Sequence, residues 1–325
     1  MHPNNDTAAS ADSFSRREIQ TPTSAPLVVV FVAAYLAWTA ATVGLRLEHF
    51  IISFVFGALF LVPKTATFAR YAFPFFFAGI LYDNFRLIAD LRGTIRVDEL
   101  YQAELAWFGV ETATGPKVLP LFMQDYTHPF LDLICGLAYL LYLPVTFAVG
   151  IAMFFVDRSR MSVLGWSFLF VNILGMITYL AYPAAPPWYV QDYGLGPAIL
   201  DAKPSAAGAA RFDAYLGVTI FEQFYSRSAN VFGAMPSLHC AYPTVAFLVV
   251  WRLSPGWALS TGFFALLVMF SAVYLQHHYV WDVLIGVLYA FVVVFAVRRV
   301  LVGRTAEPTS TSSESPLKNQ KEANN

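Results

Sequence analysis

Charge is scarce in this sequence: Asp, Glu, Lys and Arg make up 13% of its 325 residues, about half the ~25% of an ordinary soluble protein. Hydrophobic residues make up 58% and the mean hydropathy is +0.57, so the chain belongs in a bilayer. Cysteine is scarcer still. Cys135 and Cys240 both lie in apolar stretches, which argues against a disulfide framework and against a cysteine metal site. The net charge of −1 gives no basic surface for nucleic acid. There is no Walker loop, Rossmann glycine pattern, HExxH helix or 20-to-50-residue repeat, which removes soluble-type ATPases, dinucleotide enzymes and zincins. No cluster of carboxylates or of Cys and His suggests a metal, and no metal or cofactor is expected. The first 25 residues lack the layout of a cleaved signal peptide, and residues 304–325 form a Ser/Thr/Glu/Lys/Asn tail; both ends read as disordered and cytoplasmic.

Long apolar runs fill most of the remainder. A spanning helix needs about 20 largely apolar residues, and eight segments approach that: 27–45, 49–63, 69–90, 130–156, 161–182, 236–253, 256–276 and 279–300. The expected fold is all-α, a polytopic membrane bundle of about eight transmembrane helices over residues 26–303. The connections 91–129 and 183–235 are too long for simple turns and read as a structured cap. Placing the N-terminus in the cytoplasm puts Arg16, Arg17, Lys64, Arg70, Arg158, Arg160, Arg252, Arg298, Arg299 and Arg304 on the inside, as positive-inside bias requires. Both cap segments then lie on the extracytoplasmic or lumenal face.

Ionisable residues gather at that face. His239 closes the run Ala234-Met235-Pro236-Ser237-Leu238-His239, and His278 precedes Asp282 in Gln276-His277-His278-Tyr279-Val280-Trp281-Asp282. An ionisable group inside a membrane is costly and marks a functional site by default. His278 and Asp282 are four apart, so on a helix the carboxylate can accept a hydrogen bond from one imidazole nitrogen and leave the other unprotonated, as a nucleophile requires. Pro236 fits a first helical turn, after which Ser237 and Leu238 would offer N–H groups to an anion. His239, one turn in, is placed as acid and base. His49, His128 and His277 read as packing residues, and Asp125 as either a headgroup contact or a helix-entry cap.

Pro-Ser-x-His followed about 40 residues later by His-x-x-x-Asp resembles the second and third signatures of the type 2 phosphatidic acid phosphatase superfamily. Within it, Ala185-Pro186-Pro187-Trp188-Tyr189, Val231-to-His239 and His277-to-Asp282 are similar to inositol phosphorylceramide synthases and their bacterial relatives. The resemblance covers roughly residues 80–300. It implies a six-helix core, His278 as nucleophile, Asp282 as its partner, His239 as acid/base, and Trp188 and Tyr189 near the substrate. The sequence departs from the superfamily in two places. Ala272 follows Ser271 where an arginine is usual, and the first signature has no clean match, because Lys64 and Arg70 fall on the cytoplasmic side. Arg86 in Tyr82-Asp83-Asn84-Phe85-Arg86 is the substitute phosphate clamp, the alternative for Asp83 and Arg86 being an interfacial ion pair.

The activity implied by the resemblance is transfer of phosphoinositol from phosphatidylinositol to ceramide or a similar lipid alcohol through a phosphohistidine. Two alternatives keep their place: a lipid phosphate phosphatase with water as acceptor, and a non-catalytic lipid transporter. The membrane would be the inner cell membrane of a bacterium or the Golgi of a eukaryote.

Overall fold

The computed structural model describes residues 25–226 and 230–303; the two termini expected to be disordered lie outside them. Among the described residues, eight longer helices occur close to the expected places: α1 (Ala25–Ala41), α2 (Leu47–Leu61) and α3 (Pro63–Asn84), then α6 (Pro129–Val156) and α7 (Arg158–Ala181), then α11 (Leu238–Val250), α12 (Pro255–Tyr274) and α13 (Val280–Gly303). Between them lie α4 (Asp98–Phe108), α5 (Leu119–Phe122), α8 (Pro187–Tyr193), α9 (Ala210–Leu216) and α10 (Ile220–Tyr225).

Local chemistry sets the boundaries. Pro63, Pro129 and Pro255 open α3, α6 and α12, where a missing N–H leaves nothing unpaired and φ is already helical. Asp157 caps α7 by accepting from Ser159 N and Arg160 N, and Ser254 caps α12 by accepting from Trp257 N. These caps satisfy donors that the first turn leaves open. Pro63 also explains why α3 covers 63–84 instead of the expected 69–90.

Four of the described helices, α6, α7, α12 and α13, are long and apolar enough to cross a membrane. The others fall short for identifiable reasons: α1, α2 and α11 have 17, 15 and 13 residues, and α3 carries Lys64, Arg70 and Asp83. Among the described residues the helices are joined by one small strand pair. Val110–Thr112 and Gly115–Lys117 form an antiparallel hairpin, β1 and β2, with Val110 opposite Lys117. Gly115 sits at φ +108°, a conformation open to glycine and little else.

Nearly every residue of α11 is buried, and it packs against α6, α7, α12 and α13; α3 leans on α7, and α2 and α1 follow outside it. The main core joins Met153, Leu164, Phe168, Val245, Val249 and Val294. At one end of the bundle, Arg160 Nη1 and Arg298 Nη2 donate to the carbonyls of Val249 and Leu248 at 2.5 Å, satisfying last-turn acceptors of α11. The opposite end carries the cap. There three segments are laced by backbone bonds: Arg96 N to Pro183 O at 2.8 Å, Ala185 N to Arg96 O at 2.9 Å, Ala184 N to Phe232 O at 2.9 Å and Ala234 N to Ala184 O at 3.2 Å.

Candidate active site

That lacing fixes Ala234, and Ala234 fixes a histidine. Its carbonyl lies 2.9 Å from His278 Nδ1. A carbonyl only accepts, so Nδ1 carries the proton and Nε2 keeps its lone pair. Nε2 in turn lies 3.1 Å from His239 Nδ1, so the two rings face each other from the junction ahead of α13 and the first turn of α11. Tyr139 stacks on His239 with ring centroids 4.5 Å apart, and Tyr142 closes its other flank at 4.6 Å.

Asp282 meets both the start of its own helix and His278. Its Oδ2 accepts from Tyr279 N at 2.8 Å, the half of a capping box made by a first-turn carboxylate. It also stands 3.5 Å from His278 Nδ1, so Nδ1 faces both this carboxylate and the nearer Ala234 carbonyl at 2.9 Å. Its Oδ1 is buried with no hydrogen-bond partner among the described residues.

Ser237 also needs correction. Pro236 lies ahead of the helix, joined to Met235 by a cis peptide, and α11 starts at Leu238 with Ser237 as its cap, whose side chain accepts from Cys240 N. The Ser237 N–H, expected to be free for an anion, donates to Asp282 O at 2.9 Å. Ser237 therefore ties the two histidine-bearing segments together. Tyr189 is likewise structural: it packs on Tyr193 and Phe232, and its hydroxyl accepts from Ile199 N at 2.8 Å. Trp188 does line the cavity.

His239 and His278 line a cavity of about 470 Å³. Asp83 and Arg86 border it as well, and they form the ion pair of the alternative reading. Arg86 Nη2 donates to Asp83 Oδ1 at 3.1 Å, while Asp83 also pairs with Arg46 and, at 3.1 Å, with His49 Nε2. Arg86 is thus anchored at the rim by a carboxylate that is itself held from α2. Away from the histidines the wall is apolar, with Phe75, Leu143, Phe147 and Phe168, interrupted by Asn172, which accepts from Tyr242 Oη at 2.7 Å.

His277 reaches the cavity too, its ring sandwiched between Tyr139 at 5.1 Å and Tyr225 at 4.5 Å. Burial lowers its pKa to about 3, with a further push from His278. Asp125, read as a cap or headgroup contact, forms an ion pair with Lys117 at 2.7 Å; the cap of α6 is His128, whose Nδ1 accepts from Phe130 N.

Tyr139, Tyr142 and Glu104 join the site without being expected there. The two tyrosines stand three apart on α6, an ordinary spacing in an aromatic-rich helix. Glu104 is a fully buried carboxylate on α4, and its sequence context, Ala103-Glu104-Leu105-Ala106-Trp107, offers one signal: a lone acid among apolar residues.

A helical bundle with paired histidines at the capped end of a largely apolar cavity fits a membrane enzyme that acts on lipid. Residues 109–296 match the family described as the PAP2 superfamily, and the chain belongs to it. It is 37% identical over 267 residues to the phosphoinositol dihydroceramide synthase of Bacteroides thetaiotaomicron, covering 80% of this chain and 87% of that protein. It is 30% identical over 241 residues to the inositol phosphorylceramide synthase of Candida albicans, 73% of this chain and 50% of that protein. To the catalytic subunit of the Saccharomyces cerevisiae inositol phosphorylceramide synthase it is 31% identical over 242 residues, covering 73% and 58%. The chain thus spans most of the bacterial relative and about half of each fungal one. No solved structure matches it.

Proposed function

We propose that this protein is a membrane phosphotransferase that moves phosphoinositol from phosphatidylinositol to ceramide or a closely related lipid alcohol through a phosphohistidine on His278. The observation that carries the reading is the 3.1 Å contact between His239 Nδ1 and His278 Nε2, set at the head of a largely apolar cavity. The names of the relatives support the choice of donor and acceptor.

In the first step His278 Nε2 attacks phosphorus and the bond from phosphorus to the diacylglycerol oxygen breaks. His239, entering the step as imidazolium, gives that oxygen its proton and becomes neutral. His278 becomes a phosphorylated imidazolium whose positive charge is met by Asp282, 3.5 Å from Nδ1. Arg86, planar and permanently charged, suits the phosphoryl oxygens. In the second step neutral His239 takes the proton of the acceptor hydroxyl, that oxygen attacks phosphorus, and the bond from phosphorus to Nε2 breaks. Atoms and charge balance: one diacylglycerol leaves, one phosphoinositol lipid forms, and both histidines return to their starting states.

Residues 26–303 form the catalytic domain in this reading, with eight helices in the membrane, α3, α6, α7, α11, α12 and α13 as its six-helix core, and the cap on the extracytoplasmic or lumenal side. The clustering of Arg160 and Arg298 at the end remote from the cap supports that orientation. The test uses purified protein in lipid with phosphatidylinositol, with and without ceramide, and a His278→Ala control. The expected result is phosphoinositol-ceramide that requires ceramide and disappears in the control. Equal donor consumption with and without ceramide would make the protein a hydrolase.

A further inference from the structure

We infer that Glu104 is a positioning residue that holds the first turn of α13, and with it His278 and Asp282, in register from the cap. The inference deepens the transferase reading and rests on it. Glu104 is fully buried, and its two oxygens accept from consecutive backbone N–H groups at the start of α13: Val280 N at 3.0 Å and Trp281 N at 3.3 Å. A buried carboxylate is costly unless its oxygens are hydrogen-bonded, and here both are. A negative charge at a helix N-terminus is also favoured by the helix dipole and by the open donors of the first turn.

The clamp extends beyond one side chain. Trp281 Nε1 donates to Ala103 O at 3.4 Å, and its indole meets Trp107 and Phe108 edge-on at 5.8 and 5.6 Å. Cap helix α4 therefore grips Val280 and Trp281, which lie directly between His278 and Asp282 in the chain. On the other side of the same turn, Asp282 holds Tyr279 N at 2.8 Å and its carbonyl holds Ser237 N at 2.9 Å. Loosening the grip of α4 shifts the attacking nitrogen relative to His239, and a displacement of about 1 Å costs on the order of 100-fold in rate.

The experiment compares parent, E104Q and E104A proteins in lipid nanodiscs. For each it measures kcat, KM for phosphatidylinositol and for ceramide, the rate of histidine phosphorylation from donor alone, and the thermal melt. E104Q keeps one acceptor oxygen and turns the other position into a donor, while E104A removes both acceptors. The expected result is an E104A kcat down about 100-fold and an E104Q kcat down about 10-fold, with both KM values within about twofold of the parent. Phosphorylation should slow in parallel. The inference is overturned if a variant that melts like the parent keeps parental kcat, or if activity falls only in proportion to the folded fraction. Failure of the transferase reading is separate, because it shows in the parent protein as absence of phosphoinositol transfer.

Discussion

His278 Nδ1 donates to the Ala234 carbonyl at 2.9 Å, so the tautomer of the proposed nucleophile is fixed by backbone, and by a segment that the cap lacing holds in place. Asp282 stands farther off, at 3.5 Å, and in the proposed mechanism it supplies charge. Asp282→Asn therefore leaves the lone pair on Nε2 and keeps an acceptor for Tyr279 N. We expect turnover to fall about 10- to 100-fold, well short of the ~10⁴-fold loss seen when a carboxylate alone sets the tautomer. A loss of about 10⁴-fold or more with the fold intact would return the orienting role to Asp282.

His239 is expected to separate the two half-reactions. His239→Ala removes the proton source for the diacylglycerol oxygen, and general acid catalysis is worth about 10²- to 10⁴-fold. A donor with an acidic aryl leaving group needs no such proton. The variant should phosphorylate His278 from an aryl phosphodiester at a rate near the parent's, yet turn over slowly because the acceptor hydroxyl lacks its base. Equal loss with both donors would remove His239 from the acid role.

Gly286 tests the packing that brings the two segments together. A Cβ there would stand 2.3 Å from the Ser237 carbonyl oxygen, a backbone atom that cannot swing aside. Gly286→Ala should destabilise the protein by about 1–3 kcal/mol and lengthen the Ser237 N to Asp282 O contact. The measurements are a thermal melt and kcat, and the kcat loss should exceed that explained by unfolded protein. A variant that melts and turns over like the parent would show that the close approach is dispensable.

Much of the bundle is legible in the sequence because bilayer length and apolar runs act locally, whereas the helix starts marked by Pro63, Asp157 and Ser254 lie ahead of the apolar runs themselves. The two histidines and Asp282 are legible because spacing and rarity single them out. Ala234 is not, since any residue offers a carbonyl and only the lacing of 93–96, 183–185 and 232–234 aims this one. Ser237 misleads for a related reason: a helix-start N–H looks free until Asp282 O, far along the chain, is seen to accept it. Tyr189 is expected near the substrate, together with Trp188, from the resemblance alone, but successive side chains on a helix point different ways. Glu104 is hidden because its partners are backbone N–H groups 176 and 177 positions away.

Glu104 also has a pH signature. Burial raises its carboxyl from 4.5 to about 7, the Val280 and Trp281 N–H groups oppose the rise and the nearby Asp282 adds to it; Tyr101 and Tyr279 face the same space. A folded-state pKa above the unfolded value means the folded protein binds the extra proton. This stabilisation is complete below about pH 4.5 and is lost as pH rises through about 7. E104Q cannot titrate, so its melting temperature should lack that decline between about pH 4.5 and 7. Parallel pH profiles for parent and variant would show that the group titrates normally.

The central claim is a covalent phosphohistidine at His278, and rapid-quench labelling tests it most directly. Purified protein is mixed with phosphatidylinositol carrying a phosphorus label, without acceptor, quenched in base and mapped by mass spectrometry. The account predicts an acid-labile, base-stable adduct on His278, up to one per protein, that ceramide discharges into phosphoinositol-ceramide. Label on another residue, or full transferase activity with no adduct in the parent and no loss in His278→Ala, would contradict it.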